Sequence, residues 1–282
     1  MPKKSITFIL STNYAGSHYL SLLLGSNSRA EHLGEVKNMA KNTRNCFVCG
    51  SVSQCKLFNG IETIPKDKIY ETLFFRVAPE VDVLIDNSKK LEWVKQFLPI
   101  NEYQMKFIHL IRDPRALVRR WLITYTTFEE NLNQRLKLLR IHPENFLSFI
   151  FGSQIDVYIN KWLYLNESIS QFINNNNLDG YVITYRDLVK NTADELTSLN
   201  AWLGLEFESE QVNYWQFHHH GTQKKAYEWV KEKKESYFDL RWQEYLTVAQ
   251  QQRIGGNKYV QNYIEQLGLT LQEDGLMKAG KL

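Results

Sequence analysis

Four arginines within nine residues could together bind a phosphate group. The stretch FIHLIRDPRALVRRW places them directly after an apolar run, at Arg112, Arg115, Arg119 and Arg120. At this spacing the side chains share much of one face of a following helix, and guanidinium groups form paired hydrogen bonds with phosphate oxygens. A solvated basic helix face, with Arg112 paired to Asp113, would produce the same pattern. The run by itself leaves both interpretations open.

A polar loop near the N-terminus is a second candidate for an anion site. Within STNYAGSHYL, small and polar residues separate the apolar run 6–10 from a second apolar run at 19–24. This order predicts a strand, a tight loop and a helix, so that backbone N–H groups at Gly16, Ser17 and His18 can donate to a phosphate. The loop has no Gly-Lys-Ser/Thr sequence, which argues against the ATP or GTP site of a P-loop enzyme. The positive charge for an anion must therefore come from another part of the chain.

The three cysteines of the chain, Cys46, Cys49 and Cys55, lie within ten residues of one another and could form a structural zinc site. The Cys-x2-Cys spacing is typical of tetrahedral zinc sites, with Cys55 as third ligand and a histidine as the fourth. His32 is near in sequence, and the histidines at 218–220 could reach the cysteines in three dimensions. The alternative is three unligated thiols in a loop, some of them buried as small apolar side chains. An odd number of cysteines argues against a disulfide framework.

Four apolar runs predict the strands that position these groups, at residues 6–10, 81–86, 105–111 and 180–185. Two predicted helices start at Ser88 and at Pro114. Residues 128–177 are predicted to be mostly helical, with one long amphipathic helix at 146–173. A pair of helices is predicted over 186–204, with Gly204 as its cap. Asp86 is interpreted as a turn-capping carboxylate. Residues 26–80 are predicted to be largely irregular, and the C-terminal stretch DGLMKAGKL is predicted to be a frayed tail.

Strands that alternate with helices predict an α/β fold with a P-loop-like, mostly parallel sheet flanked by helices. We expect a single domain over residues 1–282, with an irregular cysteine-containing insertion at about 36–80 and a helix-rich C-terminal half. In such sheets ligands bind beyond the carboxyl ends of the strands. The polar clusters 11–16, 86–89 and 112–115 each follow a strand, so we expect them to meet at one edge of the sheet.

The composition favours a small anionic ligand over nucleic acid or a membrane. The chain has 34 basic and 31 acidic residues, and the net charge of +3 is too small to indicate a duplex-binding surface. The first apolar run is too short for a signal peptide, and no segment approaches the length of a membrane span. We therefore expect a cytoplasmic protein without a nucleic-acid or membrane partner. The sequence does not determine its oligomeric state.

Taken together, these motifs resemble those of the sulfotransferase family that uses 3′-phosphoadenosine 5′-phosphosulfate (PAPS). STNYAGSHYL is similar to the family's N-terminal loop, LIRDPRAL to its Arg-Asp/Asn-Pro-Arg motif, and DNSK to the Asp-x-Ser-Lys turn of its bacterial branch. CFVCGSVSQC, YRDLVKNTADELTSLNAWLGL and HHHGTQKK resemble further motifs of that branch. The motifs occur in the family's order between residue 5 and about residue 246, which makes the resemblance more specific than any single motif.

The resemblance implies which residues would hold PAPS. Those expected around the 5′-phosphosulfate are Tyr14, Ala15, Gly16, Ser17, His18 and Tyr19, and those expected at the 3′-phosphate are Arg112 and Arg120, with Lys224 and Lys225 near the phosphates. Tyr14 stands where the family usually has Arg or Lys, so we expect Lys89 to supply the missing cation. Arg120 stands where the family usually has serine, and it retains a hydrogen-bond donor.

The resemblance also implies a reaction, the transfer of a sulfuryl group from PAPS to a hydroxyl or amine of a small molecule. Glu35 is expected to deprotonate the acceptor, with His18 as the second choice of base and Lys89 assisting at the leaving phosphate. The chemistry needs no metal, so a zinc ion at the cysteines would be structural. The sequence of the loop STNYAGSHYL is similar to that of cyanobacterial alkaloid-tailoring sulfotransferases, and this similarity suggests a guanidinium acceptor. The alternatives are a non-catalytic nucleotide-binding protein and a small-molecule P-loop kinase.

Overall fold

The computed structural model describes residues 4–39, 46, 48–100, 102–221, 228 and 238–280. Its centre is a five-stranded sheet in which every neighbouring pair of strands is parallel. The strands are β1 (Ser5–Ser11), β2 (Ala30–Gly34), β3 (Val83–Asp86), β4 (Gln104–Ile111) and β5 (Asp179–Thr184). Their spatial order is β2-β3-β1-β4-β5, so that β1 lies at the centre.

Helices flank this sheet, which confirms the predicted α/β fold. In the first half they are α1 (Ser17–Leu24), α2 (Val36–Met39), α3 (Ile69–Arg76), α4 (Leu91–Val94) and α5 (Pro114–Thr124). In the second half they are α6 (Phe128–Ile141), α7 (Phe146–Phe151), α8 (Gln154–Asn175), α9 (Tyr185–Lys190), α10 (Thr192–Leu203), α11 (Arg241–Tyr245), α12 (Val248–Gly255) and α13 (Lys258–Gln266). Within the described ranges, no helix combines the length and apolar character needed to cross a bilayer.

The central strand β1 contributes to apolar cores on both faces of the sheet. Ile6, Phe8 and Leu10 pack into a cluster that includes α3 and the cysteine-containing segment, whereas Ile9 packs on the opposite face with α1 and α10. A third apolar cluster joins α5 and α8 to the C-terminal elements. Because a parallel strand of this kind is buried on both faces, it consists of a continuous apolar run, and this explains why the sequence pattern located it.

The prediction that residues 26–80 are largely irregular is wrong for β2 and α3. β2 pairs with β3 at one edge of the sheet. It contains Glu31 and His32, which interrupt an apolar pattern, yet His32 is buried, and its Nδ1 lies 2.6 Å from Oγ of Ser21. Tertiary contacts with α1 therefore hold this strand in place, and periodicity alone could not reveal it.

The predicted frayed C-terminal tail is instead part of a β-hairpin. β6 (Leu269–Gln272) pairs antiparallel with β7 (Gly275–Lys278), and Leu276 is buried. In the turn, Asp274 accepts hydrogen bonds from Arg186 of α9 at 2.7 and 2.9 Å. A two-stranded hairpin is marginal by itself, so these contacts with the rest of the chain explain why it forms.

Two predicted helices have different boundaries in the structure. The helix expected over 146–173 is divided into α7 and α8, because Gly152 adopts an extended conformation and the Ser153 side chain caps α8 by accepting from the N–H of Asp156. The helix expected from Ser88 begins only at α4. The Ser88 hydroxyl donates to Asp86 instead of capping a helix, at 2.5 Å.

Candidate active site

The polar segments that follow β1, β3 and β4 meet at the carboxyl edge of the sheet, in agreement with the placement expected for parallel strands. Arg112, which follows β4, donates from Nη1 to the carbonyl oxygen of Tyr14 at 2.8 Å. Asn87, which follows β3, donates from Nδ2 to Nδ1 of His18 at 2.6 Å. The loop after β1 therefore contacts the segment after β4, and the start of α1 contacts the segment after β3.

The loop between β1 and α1 requires glycine at one position. Gly16 has a φ of +104° and directly precedes α1, and a Cβ atom there would lie 2.5 Å from Cδ2 of Tyr185. Tyr14 also has a positive φ, of 71°. The N–H of Ala15 is already used in the turn, where it donates to the carbonyl of Thr12 at 3.3 Å. Both the left-handed conformation and the close approach of the Tyr185 ring thus exclude a larger residue at Gly16.

The start of α1 and two nearby hydroxyls suit a ligand with acceptor oxygens. The first turn of α1, at Ser17, His18 and Tyr19, presents N–H groups that no carbonyl within the helix can accept. At the end of β1 the hydroxyls of Ser11 and Thr12 are buried, and among the described residues they have no hydrogen-bond partner. Burying an unpaired hydroxyl is costly, so a phosphate or sulfate oxygen at this loop would give the Ser11 and Thr12 hydroxyls the partner that the described residues do not provide.

Lys89 and His18 both contact the Glu35 carboxylate. Nζ of Lys89 donates to Oε1 of Glu35, and Nε2 of His18 lies 3.4 Å from the same oxygen. Asn38 donates to the other carboxylate oxygen, Oε2. The structure thus brings together the expected base, the alternative base and the expected cation. A carboxylate placed between an imidazole and an ammonium group can accept a proton from a bound acceptor.

A buried carboxylate, Asp86, anchors the turn that carries Lys89. Asp86 accepts hydrogen bonds from the N–H and the hydroxyl of Ser88 at 2.7 and 2.5 Å. Its second oxygen accepts from Trp93 Nε1 at 3.0 Å and from the Tyr70 hydroxyl at 2.5 Å. Burial raises the pKa of Asp86, although these hydrogen bonds oppose the rise. Since Lys89 follows with a φ of +63°, this network determines the direction in which its side chain leaves the turn.

The Arg112 guanidinium contacts three other residues. It donates from Nη1 to the Tyr14 carbonyl at 2.8 Å and from Nη2 to Asp239 at 2.9 Å, and its guanidinium lies 4.4 Å from the ring centroid of Tyr185. Burial tends to raise the pKa of Asp239, but hydrogen bonds from Arg241 and the charge of Arg112 outweigh it and lower this pKa to about 2. Asp239 is therefore ionised at neutral pH, and its charge lies against the guanidinium expected to bind a phosphate.

The other arginines of the basic run have separate environments. Arg115 pairs with Asp113 at 2.7 Å and lies 4.0 Å from the ring centroid of Trp242. Arg120 lies 4.7 Å from the ring centroid of Tyr14, beside the loop. The alternative in which Arg112 pairs with Asp113 is therefore wrong, because Asp113 pairs with Arg115. Arg115 has a structural role, whereas Arg120 is next to the candidate anion site.

Two of the predicted site residues, Lys224 and Lys225, lie outside the described residues. Besides Ser11 and Thr12, three residues in contact with the site were not predicted, namely Asn87, Tyr185 and Asp239. Asn87 lies within the DNSK turn and Tyr185 follows β5, so the position of each at the carboxyl end of a strand was a usable signal. Asp239 had no such signal, because it comes from a distant polar part of the sequence.

The three cysteines lie around His220 and could hold a metal ion. Nδ1 of His220 is 3.5 Å from Sγ of Cys46, 3.6 Å from that of Cys49 and 3.4 Å from that of Cys55. All four candidate ligand atoms lie within 4.8 Å of one another. His32, which is nearer in sequence, contacts a serine hydroxyl of α1 instead. Of the histidines that the sequence left open, His220 is thus the one that could be a fourth ligand with these cysteines.

The structure resembles solved sulfotransferases. The sulfotransferase domain from the curacin biosynthetic pathway matches with a TM-score of 0.56 at 18% identity, over 90% of this chain and 96% of that domain. The sulfotransferase domain from the Synechococcus PCC 7002 olefin synthase matches with a TM-score of 0.46 at 14% identity, over 89% and 86%. A mouse sulfotransferase, solved in complex with 3′-phosphoadenosine 5′-phosphate (PAP), matches with a TM-score of 0.43 at 14% identity, over 94% and 89%.

The first of these matches shows that the chain has the fold of a sulfotransferase, in agreement with the expectation from its motifs. No protein-family model matches the sequence, and no curated protein matches it. A likeness at 18% identity shows the fold alone. The assignment of chemistry therefore rests on the arrangement of residues at the carboxyl edge of the sheet.

Proposed function

We propose that this protein is a cytoplasmic sulfotransferase that moves a sulfuryl group from PAPS to a hydroxyl or amine of a small-molecule acceptor. The observation that supports this proposal is that three groups meet at the carboxyl edge of a sulfotransferase fold. They are the N-terminus of α1, the cluster of Lys89, Glu35 and His18, and the Arg112 guanidinium. In-line transfer needs donors for the anionic group, charge stabilisation and a base, and this edge offers all three.

The residues present fit the phosphates of PAPS, which when bound supplies an activated sulfuryl group. The N–H groups of the first turn of α1 and the hydroxyls of Ser11 and Thr12 would hold the 5′-phosphosulfate. Arg112 would form a forked pair of hydrogen bonds with the 3′-phosphate, and Arg120 would add a second positive charge there. Further contributors, predicted from the sequence, are Lys224 and Lys225.

In the proposed step, the Glu35 carboxylate accepts the proton of the acceptor hydroxyl or amine. A bond forms between the acceptor oxygen or nitrogen and sulfur, while the bond from sulfur to the bridging phosphate oxygen breaks. The electron pair of the broken bond remains on that phosphate oxygen. Lys89 and the first-turn N–H groups of α1 stabilise this charge, and PAP is the product. His18, in contact with Glu35, is the alternative base.

Calorimetric titration of the purified protein tests the nucleotide assignment. We expect PAP to bind with a micromolar Kd and adenosine 5′-phosphate to bind much more weakly, because only PAP has the 3′-phosphate that Arg112 would bind. Equal binding of the two nucleotides, or no binding of either, would contradict the proposal. Turnover of ATP in the presence of Mg²⁺ would favour a small-molecule kinase instead.

Asp239→Asn should strengthen PAP binding about fivefold. The Asp239 carboxylate lies 2.9 Å from Nη2 of Arg112, so a phosphate that approaches this guanidinium meets a like charge. Removing one negative charge from a partly solvated site should make the free energy of PAP binding more favourable by roughly 1 kcal/mol, which corresponds to about a fivefold lower Kd. Calorimetry measures the change, with Asp156→Asn as a control that removes a carboxylate paired with the exposed Arg253. Weaker binding in Asp239→Asn would show that Asp239 orients Arg112 and does not compete with the phosphate.

The proposed acceptor class can be narrowed with a panel of small molecules of similar size. A guanidinium alkaloid is the more specific hypothesis, and it requires a pocket with acidic and aromatic walls. Sulfation of guanidinium compounds, with little turnover of neutral alcohols and phenols, would support this hypothesis. The reverse preference would reject it while leaving the proposed sulfuryl transfer intact.

A further inference from the structure

We propose that Cys46, Cys49, Cys55 and His220 form a structural zinc site that links the cysteine-containing segment to the three histidines at 218–220. The cysteines and the histidine are separated by 165 to 174 residues in the chain. A shared ion would thus join two segments that are distant in the chain, in addition to the apolar contacts that the cysteine-containing segment makes with the core. The proposal does not depend on the proposed sulfuryl transfer.

The distances from Nδ1 of His220 to the three sulfurs match those of a tetrahedral zinc site. Zinc–sulfur bonds of about 2.3 Å and zinc–nitrogen bonds of about 2.0–2.1 Å, at a tetrahedral angle, place nitrogen and sulfur about 3.5–3.6 Å apart. The observed distances from Nδ1 of His220 to the three sulfurs are 3.4, 3.5 and 3.6 Å. Three thiolates and one imidazole form a ligand set that zinc uses in structural sites.

Hydrogen bonds alone do not account for this arrangement. Nδ1 of an imidazole carries either one hydrogen or one lone pair, so it can form a good hydrogen bond with only one of the sulfurs. Three sulfurs nevertheless lie at nearly equal distances from Nδ1 of His220. One cation between the four donors explains all three distances together.

A tight turn holds two of the cysteines beside His220. Gly50 closes the turn after Cys49 with a φ of +81°, and its N–H donates to the Cys46 carbonyl at 2.7 Å. The sulfurs of Cys46 and Cys49 lie 3.5 and 3.6 Å from Nδ1 of His220, where both could bind one metal ion as thiolates.

Three consecutive histidines provide matched positions for a test, because their environments differ. His220 is buried against the cysteines, whereas His218 is exposed. His219 is buried, but its Nε2 lies 2.8 Å from the carbonyl oxygen of Tyr214, and its ring packs against His32 with the centroids 5.6 Å apart. Within the part of the chain that is described, only His220 of this triplet contacts the sulfurs.

The test measures bound zinc by atomic spectroscopy in the full-length protein and in three single variants. We expect one zinc ion per chain in the wild type and in His218→Ala. His220→Ala should bind zinc at least about 100-fold more weakly. Loss of a side chain that only hydrogen-bonds to a metal ligand lowers metal affinity about 10- to 100-fold, and loss of the ligand itself should have a larger effect. His220→Cys should restore stoichiometric binding, because four thiolates also form a tetrahedral zinc site.

Cobalt substitution adds a readout that does not depend on whether His220→Ala folds. Tetrahedral cobalt with three thiolates and one imidazole absorbs strongly in the visible range, and the bands should shift in His220→Cys. Identical cobalt spectra for the wild type and His220→Cys would show that residue 220 is not a metal ligand, and this would overturn the proposal. So would a wild-type protein that takes up no zinc or cobalt, or an equal loss of zinc in His218→Ala and His220→Ala.

Discussion

Arg112→Ala should weaken PAP binding by roughly 30- to 150-fold and change the affinity for adenosine 5′-phosphate by no more than about twofold. The guanidinium is the group that we expect to bind the 3′-phosphate, which adenosine 5′-phosphate lacks. Charge-assisted hydrogen bonds contribute about 2–3 kcal/mol, and each 1.4 kcal/mol corresponds to a factor of ten. Calorimetric titrations of both nucleotides against wild type and variant measure the difference directly.

The effect of Arg112→Ala must be separated from a general loss of positive charge. Arg253→Ala provides this control, because Arg253 forms an exposed pair with Asp156 and its loss changes the net charge equally. Asp239 keeps its contacts with Arg241 at 2.7 and 3.0 Å when Arg112 is removed, so it is not left as a buried unpaired charge. A parallel loss of affinity for both nucleotides in Arg112→Ala would indicate damage to the loop and would contradict the assigned contact.

Glu35→Gln should lower the rate of PAPS-dependent transfer by about 10²- to 10⁴-fold and change PAP affinity only a few-fold. Glutamine keeps the shape of the side chain and can still accept the hydrogen bond from Lys89. It cannot accept a proton from the acceptor, and a well-placed general base contributes a factor of this size. Single-turnover measurements of PAP formation, with PAPS and enzyme in excess over acceptor, isolate the chemical step.

Two further variants show which group is the base. Glu71→Gln removes the carboxylate of an exposed pair with Lys68, at 2.8 Å, and should leave the rate unchanged. His18→Ala should lower the rate less than Glu35→Gln if Glu35 is the base, and the reverse order would assign the base to His18. If the wild type binds PAP but transfers no sulfuryl group to any acceptor, the protein is a nucleotide-binding protein, the interpretation that Tyr14 in the loop keeps open.

The elements that could be predicted from the sequence are those whose signal is local. β1, β3 and β4 are largely buried apolar runs followed by polar residues, and β5 contains a shorter apolar run that is buried only at its end. Pro114 and Gly204 occur where a helix begins and where one ends. The meeting of the three polar segments followed from a general rule, that ligands bind at the carboxyl ends of parallel strands. The fold and the edge that carries the candidate site were therefore accessible before any coordinates.

The elements that were missed depend on contacts with distant parts of the chain. β2 contains His32, a polar residue that is buried only because Ser21 of α1 provides a hydrogen-bond partner. The C-terminal hairpin is short, and its turn residue Asp274 is held by Arg186 of α9. Neither segment has an apolar periodicity that would distinguish it from a loop, so tertiary stabilisation overrides the local pattern.

The sequence by itself determined which side chains could do chemistry and on which edge of the sheet they lie, because residue type and strand order are local properties. Only the tertiary structure decided their partners. It brought Lys89 into contact with Glu35 and Asp239 into contact with Arg112. It also brought one histidine of the three, His220, next to the cysteines. Each of these contacts joins residues far apart in the chain, and their proximity results from the packing of the whole fold, which no local pattern in the sequence encodes.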